Sequence, residues 1–191
     1  NLSVFNNITF NKVKIKRTTN TENANANHKT YIRMMELQVW MYDGSTLTNV
    51  ALSPTGSINT SDSVNEYSSD NRGHGLINDN SLINLDDTDS NEGFISKTGT
   101  EIGDEVVLDF SSTQNLSQLA SIVFFSHFMN YYENQPFSHW SYSSPGCSIQ
   151  IYNDDTEIFS YELKSQKIAH RVDGPAIDSV PLNMFTSNGP Y

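Results

Sequence analysis

The sequence contains a single cysteine, Cys147, so no disulfide can form within the chain and stability has to come from a packed core. Such a lone thiol is ordinarily a buried one. Long apolar runs are missing too. Stretches such as Ile122 to Phe125 fall far short of the roughly 20 residues that cross a bilayer, which argues against membrane insertion. Positive charge is scarce: Lys+Arg 11 against Asp+Glu 22 gives a net charge of −11, which repels duplex DNA and anionic bilayers at long range. A nucleic-acid partner is therefore not expected. Catalytic signatures are absent as well. The histidines at positions 28, 74, 127, 139 and 170 have no metal-ligand spacing, and there is no G-x-S-x-G elbow, so the reading is not that of an enzyme. The chain starts at Asn1 with no initiator Met and no basic-then-apolar leader, as expected of a processed chain or a piece of a longer one.

What fills the sequence instead is Asn, Ser and Thr, with aromatics at 11% and charged residues at only 17%, a profile that suits strands and loops better than a helical bundle. Phe10 to Arg17 alternates Lys12, Lys14 and Lys16 with Val13 and Ile15, the period of a strand with one wet face. These lysines with Arg17 are expected to line an edge strand, where lysine discourages sheet-to-sheet pairing, or to dock on an acidic partner. Tyr31 to Tyr42 repeats the pattern, with Met35, Leu37, Val39 and Met41 on one side and Glu36 and Gln38 on the other, and ends at Asp43-Gly44. Further strands are expected at Glu105 to Phe110 and Leu119 to Phe125. Ile149 to Tyr152 and Glu157 to Leu163 should form a hairpin around Asn153-Asp154-Asp155-Thr156. The spacing predicts an all-β fold, an antiparallel β-sandwich or jelly roll with long polar loops over residues 1–165, followed over 166–191 by an extended, proline-punctuated C-terminal arm.

The block Tyr31-Ile32-Arg33-Met34-Met35-Glu36-Leu37-Gln38-Val39-Trp40, then Asp43-Gly44, then Asn49-Val50-Ala51-Leu52, resembles the opening of discoidin or coagulation-factor type C domains, the galactose-binding-like family. Leu76-Ile77-Asn78-Asp79-Asn80, Phe94 to Thr98, Leu108-Asp109-Phe110, Ile122-Val123-Phe124 and the hairpin from Ile149 to Phe159 follow in the family's order. The chain departs from the family in having Glu105 and Val106 in place of a tryptophan pair and Asn78-Asp79 in place of Asp-Gly. The resemblance implies an eight-stranded jelly roll that binds ligands, usually sugars, at loops on one end, and it implies no catalysis.

Two segments carry candidate chemistry. Asp87, Asp89 and Asn91 place oxygen ligands at alternate positions, with Asn78 and Asp79 supplying more, as a structural Ca²⁺ site requires. The stretch 128–142 combines Tyr132 and Trp140, whose rings can pack on a pyranose, with Asn134 and His139, which can bond its hydroxyls; the same aromatics equally suit a minor core or a subunit contact. The functional expectation is a non-enzymatic module, at an extracellular or virion surface, that recognises carbohydrate or a glycoprotein with calcium support. The alternative is a structural or assembly protein, such as a minor capsid or surface component of a large virus, that meets other subunits through the sandwich and the C-terminal arm.

Overall fold

The computed structural model describes residues 5, 7–19, 32–52, 55–60, 94–95, 102–126, 146–164 and 169–184. Ten strands follow one another in these residues: β1 (Thr9–Arg17), β2 (Arg33–Tyr42), β3 (Leu47–Asn49), β4 (Gly56–Thr60), β5 (Phe94–Ile95), β6 (Glu105–Asn115), β7 (Leu119–Ser126), β8 (Cys147–Asn153), β9 (Thr156–Glu162) and β10 (Ala169–Asp173). They make two antiparallel sheets. The first has the order β4-β6-β1-β8-β9 and the second β10-β7-β2-β3, with β5 also pairing with β2. The fold is thus an all-β sandwich, as the alternation in the sequence predicts.

Its core forms where the apolar halves of the alternating strands face each other. Val13 and Ile15 of β1, Val106 and Leu108 of β6 and Ile149 of β8 meet Leu37 and Val39 of β2 and Ile122 and Phe124 of β7 in one buried cluster. The rings of Phe10 and Phe110 pack edge to face with centroids 5.7 Å apart. The Asn49-Val50-Ala51-Leu52 segment has a local reason of its own. The Asn49 side-chain oxygen accepts from the backbone N–H groups of Val39 (3.0 Å) and Ala51 (3.1 Å), which turns the chain out of β3. Gly56 then passes so near that a Cβ there would lie 2.2 Å from the Ala51 carbonyl oxygen, so only glycine fits.

Three expectations change. The lysine stripe does not guard an edge, because β1 lies in the centre of its sheet between β6 and β8. Lys12, Lys14 and Lys16 are half-buried there, and Lys14 Nζ sits 2.8 Å from Glu105 Oε1 and 4.6 Å from the centre of the Tyr152 ring. Arg17 is completely buried. The hairpin closes more tightly than expected, since Asn153 pairs with Thr156 and leaves a two-residue turn. Asp154 takes the left-handed conformation there (φ 51°), held by reciprocal hydrogen bonds with the Asn11 side chain at 2.7 and 2.8 Å. Finally, the stretch expected as an arm from residue 166 contains β10, which pairs with β7 and puts Val172 in the core. Past β10 the chain folds over the outer face of the second sheet. There Trp40, Ala120, Val123, Phe125 and Val180 form a second buried cluster against which Ile177 and Met184 pack.

Candidate functional site

Strand direction decides where the connections leave the sandwich. In the first sheet Arg17 pairs with Cys147, Lys16 with Glu105, Thr60 with Val106 and Ser148 with Glu162. In the second, Met34 pairs with Ser126, Ala169 with Phe125, and β5 lies beside Arg33 and Met34. The end of β1, the start of β2, the end of β4, the start of β6, the end of β7 and the start of β8 therefore all stand at one end. The connections 18–32, 61–93, 96–104, 127–146 and 163–168 depart from that end. The short ones, 43–46, 116–118 and 154–155, close the other.

The aromatic segment belongs to 127–146 and the acidic segment to 61–93, so the strands send both expected sites out from the same end. Tyr132, Asn134, His139 and Trp140 lie outside the described residues, as do Asn78, Asp79, Asp87, Asp89 and Asn91. Among the described residues no group of three or more His, Cys, Asp or Glu could hold a metal ion. No described helix is long and apolar enough to cross a membrane.

The described part of this end is a hydrogen-bonded floor. The Arg17 N–H donates to the Asp104 carbonyl (2.9 Å), and the Gly103 N–H donates to the Arg17 carbonyl (2.7 Å). The Gly146 carbonyl accepts from the N–H of Thr18 (2.8 Å), the N–H of Thr19 (3.1 Å) and the Thr18 hydroxyl (3.0 Å). Gly146 needs its left-handed φ of 85° for this, and a Cβ there would lie 2.6 Å from the Thr19 carbonyl oxygen. The Gly146 N–H in turn donates to Leu163 (3.2 Å). Backbone from four connections is thus pinned to one platform.

Beneath the platform Arg17 and Cys147 are paired neighbours, both fully buried. Burial lowers the pKa of the Arg17 guanidinium, with Cys147 opposing; burial raises that of the Cys147 thiol, with Arg17 opposing. A buried thiol with a raised pKa is a poor nucleophile, and Cys147 fits the inert role expected of it. Arg17 is the residue of this end that pattern reading misses. It continues the lysine alternation in sequence, and the signal against exposure is its step out of register: Lys12, Lys14 and Lys16 occupy even positions, while Arg17 shares the odd, inward set with Val13 and Ile15.

No family model matches the chain, and neither a curated protein nor a solved structure matches it.

Proposed function

We propose that the chain is a non-enzymatic recognition module on a jelly-roll sandwich of the discoidin type, which binds carbohydrate or a glycoprotein at an extracellular or virion surface through the loops of one end. The observation that carries this reading is the departure of the aromatic connection 127–146 and the acidic connection 61–93 from the same end, above a hydrogen-bonded floor. A rigid scaffold with its long loops gathered at one end is the arrangement on which binding surfaces are commonly built. In this reading Trp140 and Tyr132 stack on the sugar, and Asn134 and His139 bond its hydroxyls. Calcium, held by Asn78, Asp79, Asp87, Asp89 and Asn91, fixes the shape of the acidic loop.

A glycan array probed in calcium buffer with the native chain and with Trp140→Ala tests the reading. The expected result is a defined sugar preference that the substitution removes, whereas a blank array with the native chain overturns it. Calcium is tested separately by thermal unfolding. A ligand that binds only the folded state stabilises it by mass action, so a chelator should lower the melting temperature relative to millimolar calcium. Identical curves remove the metal from the proposal and leave the sugar standing.

The assembly reading is favoured by one observation: Leu182, in the last described turn, is 88% exposed. Because residues 174–184 fold onto their own sheet, the relevant variants are Leu182→Ser and truncation after Met184, which spare that packing. Loss of assembled mass on light scattering supports subunit contacts here, and unchanged mass excludes them.

A further inference from the structure

The flank of the sandwich has an opening of a different kind. Among the described residues β9 ends the first sheet and β10 the second, and between these two edges lies a cleft of about 410 Å³. It sits toward the short-connection end. Its walls are apolar, built from side chains such as Ile8, Leu116, Ile151 and Val172, with Asp173 at the lip. A bulge in β9 shapes it. Ile151 pairs with Phe159 and Tyr152 with Glu157, so Ile158 is the extra residue, and Ile158 and Phe159 both line the cleft.

Among the described residues no strand pairs with the outer edge of β9. The Leu163 N–H donates to the Cys147 carbonyl, so the alternation of an antiparallel ladder points the backbone groups of Tyr161 and Phe159 at β8 and those of Ser160 and Glu162 away from it. Proteins usually protect such an edge with charges, proline or a bulge; β9, Thr-Glu-Ile-Phe-Ser-Tyr-Glu, has no lysine or proline, and its bulge at Ile158 leaves the stretch from Phe159 to Glu162 regular. It leaves Phe159 40% and Tyr161 44% exposed instead. Both rings are on the face of Ile149 and Ile151, the cleft side, whereas Glu157 and Glu162 pair with Tyr152 and Ser148 on the outer face.

Charge narrows the choice of partner. Among the described residues Asp154, Asp155, Glu157, Glu162 and Asp173 border this flank, and the ion pairs there are Lys12 4.0 Å from Asp155, Lys164 3.7 Å from Glu162 and Arg171 2.5 Å from Asp173. A second copy would bring the same acidic edge and a net charge of −11 against itself.

We propose that the β9 edge and the cleft beneath it dock an extended basic segment of another protein, which adds a strand to the first sheet. Its inward side chains are large and apolar and enter the cleft between Phe159 and Val172. The alternate, outward ones are lysine or arginine and meet Glu157 and Glu162. Backbone hydrogen bonds at Ser160 and Glu162 give affinity, while the cleft and the two glutamates set the alternation. The cleft is separate from the long-connection end, which β9 reaches only at Glu162, and the proposal stands whether or not that end binds sugar.

The test is fluorescence anisotropy on the full chain with a short labelled peptide that alternates lysine with valine and phenylalanine. Two controls accompany it: a peptide of the same composition with its lysines in one block, and one with glutamate in place of lysine. Saturable binding is expected for the first, with both controls weaker by about tenfold or more. Ser160→Pro removes an N–H that faces away from β8, so the fold should survive while binding falls to the level of the controls. Phe159→Ala should weaken binding through the cleft, and thermal unfolding of both variants shows whether the sandwich is retained. Undiminished binding by a folded Ser160→Pro chain, equal binding of the controls, or no saturable binding overturns the proposal. So does a dimer of the free chain on sedimentation that Ser160→Pro dissolves, which would give the edge to a second copy.

Discussion

The outer faces of the two sheets start from similar sequence patterns and end in different environments. On β1 the outward residues Lys12, Lys14 and Lys16 are half-buried beside Glu105 and Tyr152, with their ammonium groups within reach of water. On β2 the outward residues Glu36, Gln38 and Trp40 are buried, and so are Ser121, Val123 and Phe125 beside them on β7. The difference comes from beyond β10. Gly174 turns the chain across the second sheet, with its N–H donating to Ala120 (2.8 Å) and the Ala176 N–H donating to Leu119 (2.9 Å), and Ile177, Val180 and Met184 then close over the face. A strand alternating apolar with polar residues therefore does not establish that its polar face is wet. What covers the sheet decides that.

The largest effect should come from removing the cover. A chain that stops after Asp173 uncovers Trp40, Val123 and Phe125 and loses the burial of Val180 and Ile177. At about 1.5–3 kcal/mol per buried side chain, the loss should be about 4 kcal/mol or more, a large part of the stability of an ordinary domain. Thermal unfolding should show a collapsed or missing transition, and the fluorescence of Trp40 should shift to the red. A truncated chain that melts like the intact one would mean that the second sheet tolerates the loss of its cover.

A paired substitution sharpens the contrast with less disruption. Gln38 Oε1 accepts the Trp40 indole N–H at 2.9 Å inside the covered face, so Gln38→Leu strands a buried donor and should cost about 1–3 kcal/mol. Lys14→Met breaks the ion pair with Glu105 on the outer face of the first sheet. Partly exposed pairs contribute little, so the cost there should be below about 1 kcal/mol. Urea unfolding of the two variants measures both, and equal losses would remove the distinction between the faces.

Much of the architecture was legible in the sequence because the alternation is strong. β1, β2, β7 and the β8–β9 hairpin fall within a few residues of where Val13 and Ile15, Leu37 and Val39, Ile122 to Phe125, and Ile149 and Ile151 put them. What alternation cannot give is neighbourhood. The central place of β1 depends on β6 and β8, which arrive about 90 and 130 residues later in the chain, so a lysine stripe reads as an edge until the sheet order is known. The apolar signals for the cover were present, since Ile122-Val123-Phe124-Phe125 is apolar at both parities, the pattern of a strand buried on both faces. The candidate site is legible only as composition, an acidic run and an aromatic run. Their common exit from one end is a property of strand direction, which no local pattern contains.

The smallest effect belongs to the wet rim of the covered sheet. In the turn between β2 and β3 the Asp43 carboxylate accepts from the N–H groups of Thr46 (2.7 Å) and Ser45 (2.8 Å) and from both hydroxyls, at 2.8 Å from Ser45 and 2.9 Å from Thr46. Those backbone bonds, and after them the hydroxyls, hold its pKa well below the usual carboxylate value. A carboxylate whose folded pKa is depressed contributes stability above its unfolded pKa, about 4, and loses it as the pH falls from there toward the folded value. Asp43→Asn should therefore flatten the acid side of the stability profile below about pH 4 and leave the slope near neutrality unchanged. Because the turn is fully exposed, the change should be small beside that of Gln38→Leu, and it is read from melting temperatures of the two chains taken through the acid range. An unchanged acid limb in Asp43→Asn would mean that other carboxylates govern the acid response of this sheet and that the turn is stable without its charge.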